Sequence, residues 1–133
     1  MKAQVKVGAT GELSFTVEAG QLIDFHQPGL PPVLSTPSLV WFLEHAAIAV
    51  LEPLLEPGEI SLGTEIEVQH LAPTPAGLRV HCTARVVRVD GPAVGFQVEA
   101  RDDRELIARG LHQRRVVRIE NFARRVQAKA AAH

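Results

Sequence analysis

Between Thr36 and Leu55 apolar side chains stand at Leu39, Val40, Phe42, Leu43, Ala46, Ala47, Val50, Leu51, Leu54 and Leu55. At helical spacing they cover far more than one stripe, and a helix apolar nearly all round has to be enclosed. Thr36 is a suitable N-cap and Pro37 suits a first helical turn, where its missing N–H costs nothing. Pro53 and Pro57-Gly58 end the run. In a chain of 133 residues, about one ordinary domain, the rest of the sequence must supply the enclosure.

The remaining sequence has the period of strands. Leu62, Thr64, Ile66, Val68 and His70 fall on one face, with Gly63, Glu65, Glu67 and Gln69 opposite. Leu78, Val80, Cys82, Ala84 and Val86 repeat the alternation, as do Val94, Phe96, Val98 and Ala100. Gly91-Pro92 and Asp102-Asp103 read as turns, and a last run extends from Leu106 to Ile119. Upstream, Lys2–Val7 and Glu12–Val17 alternate weakly and read as a short strand or hairpin. Gln27-Pro28-Gly29-Leu30-Pro31-Pro32 is a loop, because its prolines remove donors and fix φ. The expected organisation is a single domain over 1–133. It comprises N-terminal strands and a lid loop over 1–33, a central helix over 36–55, antiparallel strands over 61–119, and a tail over 120–133 that is a short helix or frayed. This is an α+β hotdog fold, an antiparallel meander curled around one buried helix. Sheet edges and part of the helix stay uncovered, so a dimer is expected.

Composition narrows the function classes. Apolar residues make up 46% and charged residues 22%, which suits a soluble globular chain. The longest apolar stretch, Leu39 to Leu55, is interrupted by Glu44, His45 and Glu52, so no membrane helix is expected. Met1–Lys6 lacks the apolar core of a secretory signal, and a lone Cys82 forms no intrachain disulfide, so a reduced cytoplasmic setting is expected. Residues 1–100 carry five basic and eleven acidic side chains; residues 101–133 carry nine basic and four acidic. The basic end suits phosphates. Aromatics are only 5%, with no basic run interleaved among them, so no nucleic-acid partner is expected. The histidines lack helical i, i+4 pairing, so no metal is expected either.

Three residues could carry chemistry. Glu44 lies in the apolar helix, where an unpaired carboxylate is costly. His70 projects toward the helix from the end of its strand, at the rim of the core. A carboxylate and a histidine so placed could act as an acid/base pair. Thr36 is accounted for as the cap, and acts chemically only if its hydroxyl turns toward a ligand. Eight helical residues separate it from Glu44, about 12 Å of rise, so either substrate lies between them or two subunits share the site.

The stretch Leu34-Ser35-Thr36-Pro37-Ser38-Leu39-Val40-Trp41-Phe42-Leu43-Glu44-His45-Ala46-Ala47 resembles the start of the central helix in hotdog thioesterases of the fluoroacetyl-CoA thioesterase-like family. Gly63-Thr64-Glu65-Ile66-Glu67-Val68-Gln69-His70-Leu71-Ala72-Pro73-Thr74-Pro75-Ala76-Gly77 and Gly110-Leu111-His112-Gln113-Arg114 are similar to later segments of it. The resemblance implies catalytic roles for Thr36, Glu44 and His70, and contacts of Gly63 and Arg114 with substrate or CoA. It implies hydrolysis of a short acyl-CoA at the interface of a homodimer or dimer of dimers. Coenzyme A enters as part of the substrate, with no separate cofactor. The acyl group stays open, since Gln27–Pro32 offers Leu30 and prolines where fluorine selectivity would call for a particular lid. A non-catalytic acyl-CoA-binding or sensor domain would keep the fold without needing Thr36, Glu44 and His70 together. A hotdog hydratase would need a differently placed His with an acid, and no second such set is present. Release of thiol from acyl-CoA separates these classes.

Overall fold

The structure, a computed structural model, describes residues 1–2 and 4–132; Ala3, within the expected Lys2–Val7 run, and His133 lie outside the described residues. The main sheet consists of β1 (Thr10–Thr16), β4 (Glu59–His70), β5 (Arg79–Asp90), β6 (Ala93–Arg101) and β7 (Leu106–Arg118). Two short strands, β2 (Leu22–Ile23) and β3 (Val33–Leu34), pair separately before helix α1 (Thr36–Leu51), and α2 (Ile119–Ala131) closes the chain. The sheet order is β1-β5-β6-β7-β4, antiparallel throughout. The expected hotdog architecture is therefore present, with α1 against the inner face of the sheet.

Three expectations need correction. The four long strands are not one meander, because β4 pairs with β7 rather than with its sequence neighbour β5. Residues 71–78 between them carry Pro73 and Pro75 and form a connection too long for a hairpin, so β4 crosses to the far edge. Among the described residues of Lys2–Val7 no strand forms; Lys2 N–H instead donates to the Leu54 carbonyl at 2.7 Å. The central α-helix stops at Leu51, and Glu52–Leu54 tighten into a 3₁₀ turn carrying Pro53. The tail is a helix, with Ile119, Phe122 and Val126 on an exposed stripe.

The core forms where the sheet meets α1. Leu39, Leu43, Ala46, Ala47 and Leu51 have no exposed surface, and they face Val80, Cys82, Ala84, Val98 and Ala100 from the sheet. Burial pushes the Cys82 thiol up to about 12, which leaves it an inert core residue. Phe15 of β1 stacks on Phe42 of α1 at 3.6 Å between ring centroids. Trp41, by contrast, is 52% exposed and stacks on His45. Among the described residues no helix is long and apolar enough to cross a membrane.

Strand β1 lies tight against α1 at Gly11, where an added Cβ would lie 2.5 Å from the Ala46 carbonyl oxygen and 2.8 Å from Val50 Cγ2. The Ala46 carbonyl cannot yield without moving the helix backbone. Gly11→Ala should therefore destabilise the protein by about 1–3 kcal/mol, read as a lower urea midpoint with an unchanged slope. An unaltered midpoint would show that β1 does not rest on α1 at this point.

Candidate active site

The helix start differs from the sequence expectation in one consequential way. The N-cap is Ser35, not Thr36: the Ser35 hydroxyl oxygen accepts the Ser38 N–H at 3.3 Å, and the helix begins with Thr36 at its first position. Both residues can cap, but Ser35 has the extended backbone that a cap requires. Thr36 is thereby released from capping. Its Oγ1 lies 2.8 Å from Nδ1 of His70, at the end of β4. Nε2 of His70 is buried with no hydrogen-bond partner among the described residues. Burial pushes the His70 pKa below its ordinary value, and the Ala72 backbone offsets part of that.

The Thr36–His70 pair opens on a recess of about 410 Å³ whose other walls are almost wholly apolar, among them Ile23, Phe25, Val33, Leu71 and Pro73. Phe25 and Leu71 are about half exposed there. Leu30 is not part of the wall. The aromatic side chain at this recess thus comes from upstream of the Gln27–Pro32 loop.

Glu44 sits two turns along α1 in a different cluster. Its Oε2 accepts from Nη1 of Arg114 at 3.1 Å and lies 4.0 Å from Nε2 of His112. The guanidinium also donates through Nε to Ser61 Oγ at 3.1 Å and through Nη2 to the Ser61 carbonyl at 3.0 Å. Burial lowers the Arg114 pKa, and the Glu44 carboxylate counters this. Gly63 completes the cluster: a Cβ there would lie 2.7 Å from Glu44 Oε2 and 3.2 Å from Arg114 Nη1.

A strict two-residue period puts Gly63 on the outer face, opposite His70. The structure turns it inward, because β4 carries a bulge. Gly63 pairs with Arg114 and Glu65 pairs with Gln113, so Thr64 is an extra residue in the ladder. The slip lets Gly63 and His70 share the inner face although their sequence numbers differ in parity.

Thr36 and His70 are thus brought together, as are Glu44, Gly63 and Arg114, but no Glu44–His70 contact is present within the chain. Arg114, which the resemblance implies contacts substrate or CoA, is set back from solvent beside Glu44. Its side chain is only 6% exposed and four of its five N–H groups go to Ser61, Glu44 and His112, whereas Arg115 and Arg118 are exposed. His112 stands in the Gly110–Arg114 segment, and the sequence alone assigns it no role. The available signal was parity: His112 lies two residues from Arg114 on one strand face, and both are buried.

The capping assignment has a direct consequence. Ser35→Ala should cost about 0.5–2 kcal/mol of stability. Thr36→Ala, which removes no cap, should cost less by chemical denaturation. The reverse order would return the cap to Thr36.

Comparison with known proteins follows the same lines. The family described as fluoroacetyl-CoA-specific thioesterase matches residues 17–120. A fluoroacetyl-CoA thioesterase of Streptantibioticus cattleyicolor is 41% identical over 102 residues, covering 77% of this chain and 73% of that protein. The crystal structure of a point mutant of the fluoroacetyl-CoA-specific thioesterase superposes with a TM-score of 0.86 at 34% identity, covering 96% of this chain and 99% of the other. A thioesterase superfamily member from Thermus thermophilus gives a TM-score of 0.86 at 27% identity, covering 98% of each chain. With the family's match spanning most of the chain and a relative at this level of identity, the protein belongs to the fluoroacetyl-CoA-specific thioesterase family, and is a hotdog-fold thioester hydrolase.

Proposed function

We propose that the protein hydrolyses a short acyl-CoA thioester, with Thr36, His70 and Glu44 as the groups that act on the thioester. The observation that carries this reading is the 2.8 Å contact between Thr36 Oγ1 and His70 Nδ1 at the mouth of an apolar recess. Threonine donates its hydroxyl proton; an imidazole that burial keeps neutral is the group to receive it. Nε2 of His70, buried without a partner among the described residues of the single chain, is the position a second proton acceptor would take. The acyl chain lies against Phe25, Ile23 and Leu71. A relative whose structure holds fluoroacetate and CoA, at 36% identity and a TM-score of 0.80, supports a CoA thioester as the ligand class.

Glu44 acts from the second cluster, where Arg114 holds its carboxylate beside Gly63. Without a Cβ, Gly63 lets a thioester approach the backbone closely. Water adds to the acyl carbon, CoA leaves as the thiol, and the acid is released. Thr36 contributes either as the nucleophile or by hydrogen bonding the carbonyl, and mass spectrometry of Thr36 during turnover distinguishes the two. Exposed Arg115 and Arg118 face solvent as cations for the CoA phosphates.

About 12 Å of helix separates Thr36 from Glu44, so one reacting carbon does not touch both within a single chain. A homodimer resolves this, with Thr36 and His70 of one copy opposite Glu44 of the other. Two surfaces support it: the open edge of β4, which among the described residues pairs only with β7, and the exposed Trp41 face of α1. Sedimentation at micromolar concentration should give twice the chain mass, and a monomer with full activity would sink the shared-site arrangement. The setting proposed for this reaction is the cytoplasm.

Thiol release from a panel of acyl-CoAs tests the activity itself. Glu44→Gln and His70→Ala should each lower kcat by about 10² or more, and the double variant should lose little beyond the worse single. Thr36→Ser should keep more activity than Thr36→Ala. Folded Glu44→Gln and His70→Ala proteins with full turnover would leave only an acyl-CoA-binding domain.

The pH profile carries a further sign. His70 must be neutral to accept the proton, and its pKa lies below 6.5. The value of kcat/KM should therefore hold as pH falls through 6.5 and decline only below it. A decline already complete at neutral pH would contradict a buried, neutral base.

A further inference from the structure

The Glu44 cluster contains one buried titratable group to which the reaction gives no task. His112 is 1% exposed on β7, lies against Phe96 of β6, and lines a small recess together with Glu44, Gly63 and Ile66. Its Nδ1 is 2.8 Å from the Glu65 carbonyl, beside the β4 bulge. A carbonyl only accepts, so Nδ1 carries the proton. Its Nε2 is 3.2 Å from Nη1 of Arg114, which only donates, so Nε2 presents its lone pair. Both contacts are satisfied together by one species alone, the neutral Nδ1–H tautomer. Nη1 of Arg114 has two hydrogens: one goes to His112 and the other to Glu44.

We infer that His112 is a positioning residue of the hydrolytic site: its Nε2 lone pair fixes the Arg114 guanidinium, which in turn holds the Glu44 carboxylate beside Gly63. The inference rests on the reading of Glu44 as a catalytic group. Without the acceptor, one Nη1 hydrogen of Arg114 is buried without a partner, and the guanidinium can turn off Glu44 toward another acceptor. Protonation of His112 has a similar effect, setting an N–H against an N–H and a cation against Arg114. The charged groups facing His112 are Glu44 from α1 and Arg114 from β7; β4 presents Ser61, Gly63, Ile66 and the Glu65 carbonyl, and β6 presents Phe96. Burial, more than any of these, keeps the imidazole neutral, and Arg114 acts in the same direction.

Two substitutions separate this role from packing. His112→Asn retains a donor for the Glu65 carbonyl but has no atom at Nε2. His112→Gln reaches the Nε2 position with a carbonyl oxygen that Arg114 can use. In thiol release from an acyl-CoA that the unmodified protein turns over, His112→Asn should lower kcat by roughly 10- to 100-fold with little change in KM. His112→Gln should restore most of that loss. Equal losses in both variants, or a loss confined to KM, would overturn the inference. A measurement on the unmodified protein needs no variant to fold: nitrogen NMR of the histidine rings should give His112 as the neutral Nδ1–H tautomer throughout the active pH range. A charged ring or the Nε2–H tautomer would overturn the inference equally. Loss of activity in Glu44→Gln without loss in His112→Asn would defeat this inference alone, whereas full activity of Glu44→Gln would remove the reading beneath it.

Discussion

Moving the apolar surface of α1 out of water is the interaction on which the other elements depend. Leu39, Leu43 and Leu51 are fully buried, and each such side chain contributes about 1.5–3 kcal/mol relative to exposure. Ala46 and Ala47 permit close approach on the same side of the helix, and Gly11 brings β1 against the Ala46 carbonyl. The sheet must curl to make these contacts, and the curl carries β4 at one edge past the helix flank. There the strand has both an open hydrogen-bonding edge and a row of inward side chains next to α1. The site residues belong to this flank, where the enclosure stops being complete.

The elements were readable in the sequence because they depend on periods that burial imposes. The helix follows from its nearly continuous apolar surface, and the strands from the alternation around Val80, Cys82 and Ala84 or Phe96 and Val98. Strand partners were less readable. Alternation tells which face of a strand is buried but carries no information about its neighbour, so the crossing of β4 to β7 was missed. Two local choices were also beyond the pattern. Ser35 and Thr36 are both competent caps, and the backbone at Ser35 decides between them. The bulge at Thr64 leaves no compositional mark; its stabilising contact, the Thr64 hydroxyl donating to the Gln113 carbonyl, depends on a residue 49 positions away.

Those two local choices bear directly on the candidate site. Had Thr36 capped the helix, its hydroxyl would be engaged with the helix backbone rather than facing His70. Had β4 kept a regular ladder, Gly63 would face outward and the Glu44 carboxylate would meet a different side chain. Thr36, Glu44, His70, Gly63 and Arg114 were all singled out from the sequence, yet their grouping was not. Within one chain the contacts formed are Thr36–His70 at one end of the α1 segment and Glu44–Arg114 further along it.

The Glu44–Arg114 pair is a weak candidate for a stabilising feature. Removing a guanidinium from water is costly, and replacing buried ion pairs by well-packed apolar side chains is often neutral or favourable for stability. Here Arg114 is almost completely buried while Glu44 keeps about a third of its surface in contact with solvent. A pair serving stability alone gains nothing from burying one of its charges. This one seals the cation under Ser61 and His112 and leaves the carboxylate at the mouth of a recess beside Gly63. The arrangement spends its polar contacts on the direction of one carboxylate, and a guanidinium with four of its five N–H groups engaged keeps that direction fixed. Directional constraint of this kind is what a reacting group needs and what a structural ion pair does not.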